Sequence, residues 1–288
     1  MANSAFLKSS LAKKYWMALT GLFLCLFLIG HLLGNLQLLS TEKYGAALRF
    51  NQYAHFMTTN PAVKVLSWLT YISILFHAID GFWLTVQNRK ARPVGYVKNS
   101  PSANTTWASR NMALLGSLIL LFIVTHMASF WGRMHFDKNM PLYKVEIEAM
   151  GQKQSFYQLV NGQFVPVEQV AMSLVEAREK HMPKYIHNKT ELFDTNAKIQ
   201  IGELYKDLYK ITVDFFKQPT YGLLYVILYV ISMAVLAFHL SHGLASSFQS
   251  IGMSHPKYSP FIDKFGLVFS IVVSVLFAIL PVYIYFVL

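Results

Sequence analysis

Residues 220–247 read TYGLLYVILYVISMAVLAFHLSHGLASS, twenty-eight positions without a formal charge. A helix crossing a bilayer needs about 20 mostly apolar residues, so this stretch is long enough to span. Four other segments read the same way: 15–39, 65–88, 110–132 and 265–288. Asp80 is the only charge in their interiors. The chain has 288 residues, of which 54% are apolar and 14% charged. A soluble protein carries about 25% charged residues. Mean hydropathy is +0.37. The charges are also segregated. Residues 132–219 hold 23 of the 39 charged side chains, twelve Lys/Arg and eleven Asp/Glu. These observations exclude an ordinary soluble enzyme, a disordered chain and a disulfide scaffold. They predict an all-α membrane protein of five transmembrane helices. Spans 1–3 occupy 1–131, a polar insertion 132–219, and spans 4–5 residues 220–288.

The formal net charge of +11 does not point to nucleic acid. The insertion contributes only +1, and the rest sits in short segments beside apolar runs. There it orients the chain, because cytoplasmic loops are enriched in Lys and Arg. One side collects Lys8, Lys13, Lys14, Arg89, Lys90, Arg92, Lys98, Arg110, Lys257 and Lys264. The other has Lys43, Arg49 and Lys64 outside the insertion. Ten against three predicts a cytoplasmic N-terminus and an extracytoplasmic insertion. Trp16, Trp68, Trp83, Trp107 and Trp131 fall near span ends, as an aromatic belt requires. The first apolar run is too long for a signal-peptide core and is read as retained. Within the insertion, Val167–Lys180 and Ala197–Lys217 alternate apolar and charged residues with helix-like spacing. They predict short amphipathic helices, with breaks at Pro183 and Pro219. Cys25 is the only cysteine, so no intrachain disulfide is possible.

Ionisable residues inside membrane helices are rare and usually functional. Here His31, His77, His126 and His239 put one histidine on each of the first four spans, and His242 follows His239 by one turn. At a rise of about 1.5 Å per residue, His31 and His126 lie roughly 24 Å from the cytoplasmic ends of their spans, His77 roughly 17 Å and His239 roughly 12 Å. The depths fall into two pairs, His31 with His126 and His77 with His239. Two stacked pairs suit two bis-histidine haems, since neutral imidazole ligates haem iron axially. A zinc site wants three or four ligands at one level, with Cys or carboxylate among them. A proton relay wants Asp and Glu among the histidines, and only Asp80 is available. Gly21, Gly30, Gly34, Gly116 and Gly243 permit close approach of a helix or a flat macrocycle. Arg110, Lys98 and Arg92 stand at the predicted cytoplasmic rim, where haem propionates would meet them.

At these residues the sequence resembles a known family. The stretches are Thr20-Gly-Leu-Phe with Ile29-Gly-His31, Ala54-His-Phe-Met57, Phe76-His77-Ala-Ile-Asp-Gly81, Ala108-Ser-Arg110 with Gly116 and His126, and Phe238-His239-Leu-Ser-His-Gly-Leu244. Together they resemble the membrane-anchor cytochrome b subunit of succinate:quinone oxidoreductases, the succinate dehydrogenases and fumarate reductases, in its single-chain di-haem b558 type. The resemblance covers the five spans and does not clearly cover 132–200. It implies axial ligation of two haems b by His31, His77, His126 and His239, first helix with third and second with fourth. His242 would then stand beside a ligand or a propionate. Some relatives carry a Glu two residues before the fourth-helix ligand; here that position is Ala237, so the proton pathway tied to it is not implied. The resemblance further implies an iron–sulfur subunit docked on the cytoplasmic face, bearing a FAD-containing dehydrogenase subunit, in a bacterial inner membrane. This chain would be the quinone-reactive subunit, passing electrons to or from menaquinone in the respiratory chain and the tricarboxylic acid cycle. It has no dinucleotide-binding glycine motif and no cysteine cluster, so dicarboxylate chemistry would belong to the partners.

Electron flow then predicts where quinone reacts. Two haems at different depths serve best when one end faces the dehydrogenase and the other a different acceptor. Asn35, Gln37, Asn51, Gln52 and His55 gather beyond the outer end of span 1, and polar groups are needed there for the quinone oxygens. His55 and Asn35 are the candidates; histidine exchanges protons near neutral pH. The plainer reading is a polar interfacial loop. Two alternatives for the whole chain remain: a di-haem cytochrome b anchor of another dehydrogenase or a hydrogenase, or a non-redox transporter or anchor whose histidines only hydrogen-bond.

Overall fold

The structure is a computed structural model that describes residues 9–40, 42, 45–94, 100, 103, 105–149 and 151–288. Lys8, Lys43 and Lys98, used above to orient the chain or to meet a propionate, lie outside the described residues. Five helices are long and apolar enough to cross a membrane: Leu11–Leu39, Pro61–Lys90, Met112–Phe136, Gly222–Ser250 and Ser259–Phe286. Each covers one predicted segment nearly whole. Their outward side chains are apolar and uncovered: Leu26 is 65% exposed, Leu121 63% and Val65 68%. Apolar exposure repeated over five helices is stable in hydrocarbon, not in water. The chain is a multi-pass membrane protein.

The chain divides into two compact units. One holds residues up to Leu36, Pro61–Thr125 and Phe216–Leu288. Helix α1 (Ser10–Asn35) begins at Ser9, whose hydroxyl accepts the Ala12 amide at 3.1 Å. It packs on α3 (Pro61–Lys90) and on α9 (Gly222–Ser250), and α9 packs along α10 (Ser259–Phe286). Buried Met233, Leu236 and Leu240 of α9 form the unit's core with Leu28 of α1, Ile119 and Phe122 of α5 (Met112–Met127), and Phe277 of α10.

The second unit holds residues 37–60 and 126–215. Here the expectation of an all-α protein fails. The insertion carries seven strands among the described residues. β1 (Lys144–Ala149), β2 (Gln152–Gln158) and β3 (Phe164–Pro166) form an antiparallel sheet. β4 (Val170–Ala171), β5 (Lys184–His187), β6 (Glu191–Asp194) and β7 (Gln200–Glu203) form a second sheet, with β4 and β5 parallel. The cause is legible afterwards. Val145 and Ile147 alternate with Glu146 and Glu148, a period of two that suits a strand. Gly151, at a φ of 77°, turns β1 into β2. Leu142, Tyr157, Leu159, Val165, Val170, Ile186, Leu192 and Leu204 from both sheets make one buried cluster. Each such aliphatic side chain contributes about 1.5–3 kcal/mol when fully buried. A Cβ at Gly202 would overlap Leu159, so the sheet closes over that leucine only because the position is glycine.

The two predicted amphipathic helices shrink accordingly. In 167–180 only α7 (Leu174–Glu179) is α-helical, started by the Ser173 cap. In 197–217, β7 comes first and α8 (Leu208–Lys217) begins after Asp207, whose carboxylate accepts the Lys210 amide at 2.9 Å. The stretch before span 2, read as a polar interfacial loop, is largely the helix α2 (Ala46–Thr59).

Candidate functional site

His77 on α3 and His239 on α9 face each other with ring centroids 6.2 Å apart and planes inclined at 70°. Two imidazoles sharing one metal at about 2 Å per bond place their centroids about 6 Å apart. The separation is one at which two imidazoles could hold a common metal ion, and these two residues would be the ones to hold it. Both rings sit against glycine. A Cβ at Gly21 of α1 would come within 3.2 Å of His77 Cε1, and one at Gly116 of α5 within 3.7 Å of His239 Cε1. A side chain at Gly21 would crowd the imidazole.

The surroundings of His77 also set its tautomer. The Thr20 hydroxyl donates its one proton to the Trp16 carbonyl at 2.7 Å. Its oxygen lies 3.3 Å from His77 Nδ1 and can only accept there. The Met17 backbone is also hydrogen-bonded to this ring. A proton on Nδ1 donated to this oxygen would leave Nε2 its lone pair for a metal, the arrangement in which a neighbouring acceptor orients a ligating histidine. The Nδ1 atom of His239 is buried with no hydrogen-bond partner. A buried imidazole nitrogen left unpaired is costly.

His31 stacks on Phe27 at 5.4 Å and meets Phe277 at 5.7 Å, so its ring is wedged between α1 and α10. His126, near the end of α5, lies 5.2 Å from Phe130. It belongs to the second unit, whereas His31 belongs to the first, and each is described with its own neighbours. A π-helical turn, Ala128–Gly132, begins two residues after His126. Such turns interrupt helices mostly at functional positions. His242 lies one turn beyond His239 on α9, half-buried.

The remaining candidates are placed less favourably. Arg110 ends the single turn α4 (Trp107–Arg110) and donates to the Thr105 carbonyl at 2.7 Å. Asn35 folds back to the His31 carbonyl at 2.8 Å, a local helix-end bond rather than a group held out for a ligand. Asn51 is 1% exposed and fully committed: its amide donates to Asp207 at 2.9 Å and accepts from the Tyr209 amide at 3.0 Å. It ties α2 to α8, and its burial among these bonds takes it out of reach of a ligand. His55 meets Tyr205 edge-on at 5.4 Å. Asn35 and Asn51, two of the polar residues read beyond span 1, are thus taken up in structural bonds. Sequence reasoning missed Thr20 and Tyr205; neither a threonine nor a tyrosine announces its role without its neighbours in space.

No cluster of three or more His, Cys, Asp or Glu that could hold a metal ion is present among the described residues. The donor set is two imidazoles without thiolate or carboxylate, which suits haem iron and not a structural zinc. Comparison with protein-family models, curated proteins and solved structures finds no match.

Proposed function

We propose that the chain is the di-haem cytochrome b membrane anchor of a succinate:quinone oxidoreductase, exchanging electrons between an iron–sulfur partner and menaquinone. The observation that carries the reading is the opposed His77 and His239 pair, with Gly21 and Gly116 at the ring edges. Haem, when bound, supplies one-electron chemistry at a potential set by its axial ligands and surroundings. His77 and His239 would hold one haem, and His31 and His126 the other. Thr20 would hold the His77 proton on Nδ1, which would leave Nε2 free to ligate and keep the ring fixed. Lys257 and Lys264 would lie with the other cations on the cytoplasmic face of a bacterial inner membrane, where the iron–sulfur and FAD-bearing partners dock. His55, whose ring makes no hydrogen bond among the described residues and meets Tyr205 edge-on, would serve the quinone.

The test is a reduced-minus-oxidised optical spectrum of the purified chain, followed through a redox titration. The expected result is two haem b components. His77→Ala and His239→Ala should remove the same component and His31→Ala the other. No haem bands at all would remove the reading and leave a non-redox anchor. Loss of the same component in His77→Ala and His31→Ala would overturn the pairing. His55→Ala should slow quinone-coupled turnover while both haem signals persist.

A further inference from the structure

The insertion reaches back and grips the end of span 3. The last carbonyls of a helix have no partner within it. Here the Met134 carbonyl accepts from the Lys206 ammonium at 2.8 Å, and the His135 carbonyl from the Lys189 ammonium at 3.0 Å. Both acceptors lie in α6 (Arg133–Phe136), the final turn of the span. Burial, and then the charge of Lys189, push the Lys206 ammonium below the ordinary lysine range, with Glu203 opposing. Two like charges are thus brought together at one helix C-terminus, where the helix dipole favours cations.

Neither lysine hangs on a loose chain. Lys206 is bridged to Leu142 through the backbone. On either side, the Tyr143 amide donates to the Tyr205 carbonyl at 2.9 Å and the Asp207 amide to the Pro141 carbonyl at 2.8 Å. Lys189 stands in the turn between the paired strands β5 and β6. From Asp207 the chain enters α8, and its contacts run back along the span. Ile211, 1% exposed, clusters with Met134, and Phe130 packs against that cluster. Phe215 meets Phe130 at 5.2 Å, and Phe130 meets His126 at 5.2 Å.

Between the gripped carbonyls and His126 lies the π-helical turn Ala128–Gly132. Such a turn is rare and interrupts the α-helical register of the residues on its two sides. Whatever holds both sides fixes how His126 is turned relative to the end of the span. We propose that the insertion is a splint for span 3, in which Lys206, Lys189 and Phe215 hold the π-turn and, through Phe130, set the ring of His126. The three are positioning residues. The consequence for haem rests on the di-haem reading; the splint itself does not.

The test uses the full chain in lipid nanodiscs. Lys189→Met and Lys206→Met together keep the apolar stems and remove both donors. Hydrogen exchange of residues 127–136, read by mass spectrometry, should then run about tenfold faster, the loss expected for charge-assisted hydrogen bonds. Lys189→Arg with Lys206→Arg restores donors and should exchange as wild type does. In a redox titration the methionine variant should shift the midpoint potential of the haem component that His126→Ala removes, and leave the component that His77→Ala removes. Unchanged exchange overturns the splint. So does exchange accelerated equally in β1 and β2, which is lost folding, or an arginine variant as fast as the methionine one. Faster exchange with an unmoved haem potential overturns the setting of His126. A wild type without haem bands removes the di-haem reading and leaves exchange to decide the splint.

Discussion

Gly21 and Gly116 occupy similar places beside their histidines, but their margins differ. At Gly21 an added methyl would meet His77 Cε1 at 3.2 Å, closer than carbon atoms tolerate without movement. At Gly116 the corresponding distance to His239 is 3.7 Å, an ordinary contact. Gly21→Ala should therefore push the His77 ring aside and, on the proposed di-haem reading, weaken or shift one haem signal, whereas Gly116→Ala should leave both signals in place. Redox-poised electron paramagnetic resonance of the two variants makes the comparison. Equal spectra would mean that Gly21 does not position His77. The glycines are visible in the sequence. Which of them the imidazole leans on is visible only once two helices are laid side by side.

At the scale of elements, the tie between α2 and α8 is the most sensitive piece of the second unit. Asp207 caps α8 and accepts from Asn51, and burial pushes its carboxyl up from the ordinary carboxylate range, although its bonds to Lys210 and Asn51 oppose the shift. The sign follows from linkage. An acid whose folded pKa is raised binds more protons in the folded state, so its contribution to stability falls as pH rises from the unfolded value of 3.8 through the folded one. Above that window the charged form is held at a cost. The stability of wild type relative to Asp207→Asn should accordingly decline with rising pH across that window and level off above it. Denaturant unfolding followed at several pH values reads this difference; a flat difference would mean that the carboxyl is not strained by burial. Asn51→Ala should cost about 1–3 kcal/mol at neutral pH, because it strips a partner from a buried carboxylate and from the Tyr209 amide.

At the scale of the whole molecule, if all five candidate helices cross, Lys257 and Lys198 should lie on opposite sides of the membrane. Both side chains are exposed. In a background without Cys25, a cysteine at 257 and one at 198 should each react with a membrane-impermeant maleimide from one side only, and from opposite sides. On the proposed orientation residue 257 should be the one labelled from the cytoplasmic side. Labelling of both from the same side would remove one of the spans, and exchanged sides would invert the orientation.

The spans were determined by the sequence alone, because a helix in hydrocarbon must satisfy its own backbone and so needs only a long apolar run such as 220–247. The histidines were legible for the same reason: a polar ring in such a run stands out against its neighbours. Tertiary structure decided what those rings meet, since the glycine edges, the Thr20 acceptor and the 6.2 Å separation of His77 and His239 join residues far apart in the chain. It also decided the insertion. Strands of two to seven residues carry too few periods to declare themselves, and their stability comes from partners such as Leu159 and Leu204, bridged across the two sheets. Asn51 is the clearest case: a polar residue in a row of polar residues by sequence, and a buried strut once Asp207 and Tyr209 are folded against it.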